Sequence, residues 1–113
     1  DLRTGLFRMR KIIAVDFDGC ICSDKSPDIG EPNWDIINAI KSEQKAGTAI
    51  ILWTCREGRN LKNAIAACEK WGLKFDTINE NIPEIIRLWG GDSRKVTADE
   101  YWDDRPVIVK AFE

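Results

Sequence analysis

Histidine is missing from this chain altogether. Its absence removes Ser-His-Asp and Cys-His nucleophilic systems and zinc sites built on imidazole. Any acid–base work must fall to carboxylates, Lys, Tyr or Cys. Cysteine does not fill the gap. The four cysteines, Cys20, Cys22, Cys55 and Cys68, form no CxxC pair. They suggest neither a zinc cluster nor a disulfide framework, so the chain reads as a protein of the reducing cytoplasm. Proline and glycine are scarce, at 4 and 8 of 113 residues, and 43% of the chain is hydrophobic. That excludes a disordered or low-complexity polypeptide. Basic charge is not in excess: the net charge is −2, so there is no polycationic footprint for nucleic acid. A nucleotide or a strand end remains open as a substrate. No apolar run approaches the length of a membrane span, and no secretory signal is visible. Methionine occurs once, at Met9. Residues 1–8 are expected to be a leader without a structural role, and 9–113 a single domain.

What is present begins with Lys11-Ile12-Ile13-Ala14-Val15-Asp16-Phe17-Asp18-Gly19. The apolar run predicts a buried strand over Ile12 to Phe17. Acids do not enter the core of a parallel sheet cheaply, so Asp16 and Asp18 belong at the strand's carboxyl end. Open α/β sheets bind ligands at that end. Residues i and i+2 of a strand share a side, and both acids can face one small volume where a hard cation would hold them.

Helix and strand signals then alternate. A turn-rich segment from Gly19 to Asn33 predicts a flap. Asn33 is a plausible N-cap for a helix to about Ala46, with Gly47 as its stop. Thr48 to Trp53 predicts a second buried strand that delivers Thr54, Cys55 and Arg56. A helix from about Arg59 to Trp71 follows, then a weaker strand over Phe75 to Ile78 that leads into Asn79. Asn81 and Glu84 resemble a capping box with Pro83 in the first turn, opening a helix that Gly90-Gly91 breaks. Glu100 to Trp102 reads as a fourth strand ending at Asp103-Asp104. The tail from Pro106 onward reads equally as strand or short helix. Strands alternating with single helices predict right-handed βαβ units and a mostly parallel sheet.

Four polar groups thus fall at or near strand ends: Asp16 with Asp18, Thr54, Lys95, and Asp103 with Asp104. Each alone has a bland reading, as a turn residue, a solvated lysine or an acidic loop. Their order and spacing together match a phosphoryl-transfer site. On these residues the chain resembles the haloacid dehalogenase (HAD) superfamily. Asp16-Phe17-Asp18-Gly19 fits the first motif, Leu52-Trp53-Thr54 the second, Lys95 the third and Asp103-Asp104 the fourth. Thr54-Cys55-Arg56-Glu57-Gly58 and Tyr101-Trp102-Asp103-Asp104-Arg105 are similar to a small, capless branch. The resemblance spans about Arg10 to Arg105.

The resemblance implies a Rossmann-like three-layer sandwich without a cap domain, and a Mg²⁺-dependent phosphatase. Asp16 would be the nucleophile that becomes an aspartyl-phosphate. Asp18 would protonate the leaving group and then activate water. Thr54 and Lys95 would hold the phosphoryl oxygens. Mg²⁺ would sit among Asp16, the backbone carbonyl of Asp18, and the pair Asp103 and Asp104, with Asp103 the direct ligand. Arg56 and Asn79, and with them Asn81, would line the substrate pocket. One departure is Cys20, where the family carries Thr or Val; a thiol there introduces an oxidation-sensitive spot.

Neither gap between motifs has room for a cap, so the site should be open, covered at most by the flap or by a second subunit in a homo-oligomer. An open site suits a large or variable phosphomonoester: a phosphorylated small molecule, a nucleotide, or a polynucleotide end. Trp53 and Trp71 are expected in the core, while Trp34, Trp89 and Trp102 have less certain faces. Two alternatives share this fold: a receiver-like signalling domain and a non-catalytic phosphate-binding module. Motif order speaks against the first, because receivers carry the phosphorylated Asp on a later strand, where this chain offers only Asp76. The complete acid set speaks against the second.

Overall fold

Four short parallel strands build the centre of the molecule. The computed structural model describes residues 9–110; the expectations for residues 1–8 and for the end of the tail lie outside them. In chain order the elements are β1 (Ile12–Val15), α1 (Trp34–Lys45), β2 (Ala49–Leu52), α2 (Gly58–Lys70), β3 (Thr77–Ile78), α3 (Pro83–Trp89) and β4 (Glu100–Trp102). The strand order is β3-β2-β1-β4, and every pairing is parallel.

β1 and β2 are buried at every position, as expected of strands covered on both faces. Successive residues alternate between two cores. Ile13, Val15, Ile50 and Leu52 pack with Ile37 and Ile40 of α1 and with Ala64 and Cys68 of α2. Ile12, Ala14, Ala49 and Ile51 pack with Ile82, Ile85 and Val96 on the other face. Each fully buried Ile or Leu contributes about 1.5–3 kcal/mol. The result is an α/β/α sandwich, as predicted. Among the described residues no cap interrupts it, and no helix is long and apolar enough to cross a membrane.

The strands step from β1 to β2 to β3, then return across the sheet so that β4 lies on the other side of β1. The order therefore reverses between β1 and β4. Such a switch point opens a crevice at the carboxyl ends of the strands, and Asp16, Asp103 and Asp104 are the residues that follow β1 and β4.

Several boundaries differ from expectation. β1 stops at Val15 because the Phe17 N–H turns onto Asp16 Oδ1 at 2.8 Å, and the N–H groups of Cys20 and Ile21 close a turn on Phe17 O. β3 shrinks to two residues. Asp76 Oδ2 takes the Ile50 N–H, and Asn79 ends the strand with a positive φ of 55°. The capping box does not form: Ile82 occupies the N-cap position, and Glu84 instead pairs with Arg10 at 2.9 Å. Asn33 stands at the N-cap of α1 but makes no side-chain cap; its amide donates to Cys20 O, tying the helix start to the flap. Residues 106–110 form neither strand nor helix. Trp53 and Trp71 pack against the two cores, as does Trp102, whereas Trp34 and Trp89 are exposed.

Candidate active site

Three carboxylates meet at the β1/β4 crevice. Asp16, Asp103 and Asp104 each offer an oxygen within 4.8 Å of the others. Asp16 is carried by β1 and locked to β4, since its N–H bonds Trp102 O at 2.9 Å. The fourth acid of the predicted set, Asp18, lies close enough to add to the negative field on Asp16. Burial, opposed by the Phe17 N–H and reinforced by Asp103, Asp104 and Asp18, pushes the Asp16 carboxyl up to about 6.

Several acids elsewhere among the described residues have cationic partners. Glu43 meets Lys11, Asp76 and Glu84 meet Arg10, and Asp18 meets Arg56. Among the described residues no Lys or Arg ion-pairs with Asp16, Asp103 or Asp104. The donor set is hard oxygen only, which suits Mg²⁺ or Ca²⁺, with ligand distances of about 2.0–2.6 Å. Its spacing is one that such an ion draws together. Gly19 makes the approach of Asp104 feasible. A Cβ at Gly19 would lie 2.3 Å from Asp104 Oδ2, and the residue has φ +81°, a conformation that glycine adopts without strain.

Thr54 stands just past β2. Its N–H is held by Asn79 Oδ1 at 2.8 Å, and its Oγ1 accepts the Arg56 N–H at 3.1 Å. The hydroxyl proton remains to be donated to an anion.

Three more of the expected residues lie nearby, each with partners of its own. Arg56 does come to the site, but as a buried group whose donors are spent on the protein, which leaves none for substrate. Nε and Nη2 grip Asp18 Oδ2 and Oδ1 at 2.8 and 2.7 Å. The remaining N–H groups go to the carbonyls of Pro27, Asn60 and Asp28. Asn79 braces Thr54 through its side-chain oxygen, and its backbone oxygen accepts Arg94 Nη1 at 3.3 Å, so its acceptors serve the scaffold. Lys95 stands over the Tyr101 ring at 5.5 Å, and no ion pair joins it to Asp16 among the described residues. To reach a phosphoryl group there it must leave the ring.

Other roles were not readable from the sequence. Asn81 is buried and organises the loop ahead of β4. Its Nδ2 donates to Asp92 Oδ1 and to Ser93, and its Oδ1 takes the Thr97 N–H. Arg94, one residue before Lys95, is the cation that touches the β3 end. Cys20 is buried, and burial together with Asp16 pushes its thiol up to about 12. Burial and the raised thiol both oppose the oxidation expected there, since reactivity follows the thiolate. Asp76 precedes β3 and is paired with Arg10, which further weakens a receiver-like reading.

A cleft of about 280 Å³ is lined by Asp18, Ser26, Cys55, Arg56, Glu57 and Asn60. A larger surface dish of about 550 Å³, flanked by Trp89 and Asp92, contains none of the clustered acids.

Among solved structures, the chain is similar to the conserved protein coded by a locus of Bacteroides thetaiotaomicron. The two are 40% identical, the match covers 88% of this chain and 79% of that one, and the TM-score is 0.77. The chain belongs to that protein's family. No family model and no curated protein matches it. The kinship carries the α/β architecture and leaves the chemistry to be argued from the site.

Proposed function

We propose that this chain is a Mg²⁺-dependent phosphatase of the HAD type, hydrolysing a phosphomonoester through an aspartyl-phosphate on Asp16. One observation carries the reading: three carboxylates, ion-paired with no Lys or Arg among the described residues, converge at the sheet's switch point, on the residue that would be the nucleophile. Asp16, Asp103 and Asp104 would hold the metal. When bound it supplies the positive charge that offsets repulsion between a carboxylate nucleophile and an anionic ester.

The protein groups do the rest. Asp16 attacks phosphorus and the bond to the leaving oxygen breaks. Asp18, which lines the cleft as a carboxylate held by Arg56, must give up one Arg56 bond and take up a proton before it can pass that proton to the leaving oxygen; it later takes one from the water that hydrolyses the acyl phosphate. Thr54 Oγ1 donates to a phosphoryl oxygen. Lys95 joins it only by swinging off Tyr101. Among the described residues no cap covers the cleft, which supports a substrate whose bulk stays outside: a phosphorylated small molecule, a nucleotide, or the phosphorylated end of a polynucleotide. A second copy of the chain covering the site remains part of the proposal.

The test is phosphate release from a generic aryl phosphate, with Mg²⁺ and with EDTA, by the wild type and by Asp16→Asn. The proposal expects turnover that needs both Mg²⁺ and Asp16. Turnover retained in EDTA or in the variant would contradict it.

A further inference from the structure

We propose that Arg56 is the positioning residue of this site, fixing the Asp18 carboxylate and fastening the flap beside it, and that it does not bind substrate. The inference rests on the phosphatase reading for its catalytic half and on geometry alone for its structural half.

An arginine side chain has five N–H donors in a rigid fork, and here all are engaged. Two hold both oxygens of Asp18, so that carboxylate has a single orientation. Two reach across to Pro27 O and Asp28 O in the middle of the flap. One returns to Asn60 O in the first turns of α2. The guanidinium carbon also lies 4.9 Å from the Phe17 ring centroid, within cation–π range. Three segments distant in sequence are therefore joined through one side chain. The tip of the flap needs that join most: residues 23–28 are exposed, whereas its base is held by buried Cys20, Ile21 and Cys22, by the bonds of Asn33 to Cys20 O and Ile21 O, by the bridges of Cys22 to Asp18 and Pro32 and by the Ser23–Glu31 bonds. Gly30 permits the turn, since a Cβ there would lie 1.9 Å from Ser23 O.

A buried ion pair adds little net stability compared with an apolar replacement. What this one supplies is orientation. The cleft wall contains Asp18 and Arg56 on one side and Ser26 of the flap on the other. Releasing Arg56 frees the wall and the acid together, whereas a substrate-binding arginine would leave both in place.

The experiment compares Arg56→Gln, Asp18→Asn and the double variant, after circular dichroism has shown each to be folded. Arg56→Gln should lower kcat about 100-fold, within the range of acid–base catalysis, with KM changed by less than about threefold. The double variant should be no slower than the slower single variant, because Arg56 acts through Asp18. Arg56→Lys should not restore the rate, since an ammonium is a point charge without the fork. Amide hydrogen exchange in residues 23–33 should accelerate about tenfold or more in Arg56→Gln. A raised KM with unchanged kcat, or losses that multiply in the double variant, would overturn the proposal. Should wild-type turnover prove independent of Asp16, the phosphatase reading falls. Flap exchange then decides alone, and unchanged exchange overturns the clamp. If Arg56→Gln does not fold, Arg56→Lys takes its place, since a single ammonium cannot hold Asp18 and both flap carbonyls at once. Faster flap exchange in that variant supports the clamp, and unchanged exchange overturns it.

Discussion

Removing the charge of Asp16 should stabilise the protein when no metal is present. Asp16→Asn keeps the side chain's shape and its acceptor for the Phe17 N–H, while deleting one of three clustered negative charges. The magnitude follows from linkage. The carboxyl is raised from 3.8 to about 6, chiefly by burial, a gap of about 2.2 pH units and about 3 kcal/mol at 1.36 kcal/mol per unit. Asp16 is only partly buried and its acid neighbours are exposed, so solvent screening brings the expectation to about 1.5 kcal/mol. The sign is set by the raised value. The folded protein holds this proton more tightly than the unfolded chain, so stability falls as pH rises from about 3.8 to about 6. The cost is then fully present near neutral pH. Urea unfolding of both proteins in EDTA should show the variant more stable by about 1–2 kcal/mol near pH 7.5, with the difference vanishing near pH 3.5. Mg²⁺ should reverse the order, because it binds the wild-type acids better. A variant equal to or less stable than the wild type in EDTA near pH 7.5 would refute the reasoning.

Three further outcomes are expected. Gly19→Ala places a Cβ 2.3 Å from Asp104 Oδ2 at φ +81°; it should destabilise the fold by about 1 kcal/mol or more and weaken Mg²⁺ binding measured by calorimetry. Asn81→Ala leaves the Thr97 N–H without its acceptor and removes the Nδ2 donor from Asp92, which keeps only the backbone N–H of residue 81; thermal unfolding should report a loss of about 2–3 kcal/mol, with faster exchange in residues 92–97. Lys95→Ala removes an exposed ring contact and should cost under about 1 kcal/mol in folding. Its turnover of an aryl phosphate should nonetheless fall at least about tenfold if Lys95 swings to the phosphoryl group; unchanged turnover would leave that charge to the metal and Arg94.

Much of the architecture was legible because it rests on short-range signals. The apolar runs at Ile12–Val15 and Ala49–Leu52 can only be covered strands, and Glu100 to Trp102 was bounded correctly by its polar flanks. The meeting of Asp16 with Asp103 and Asp104 was legible too, since strand ends in βαβ chains converge. Side-chain destinations were not. Arg56 looks like any arginine after a strand until Asp18 and the flap carbonyls surround it, 38 and 28 residues away in sequence. Asn81 carries a cap pattern with Glu84, but tertiary partners at Asp92 and Thr97 outcompete the helix end. Lys95 sits where the motif order puts it along the chain, yet the nearest ring draws the ammonium aside. Local pattern cannot rank such competing partners, because the contest is decided by the fold.

The central claim is that Asp16 becomes covalently phosphorylated. The most direct measurement is a rapid acid quench of the Mg²⁺-loaded protein turning over an aryl phosphate, followed by mass spectrometry of its peptides. The account predicts a phosphoryl group on the peptide containing Asp16, absent from Asp16→Asn and lost on standing at neutral pH. Turnover with no covalent species, or with the phosphoryl group on another residue, would contradict it.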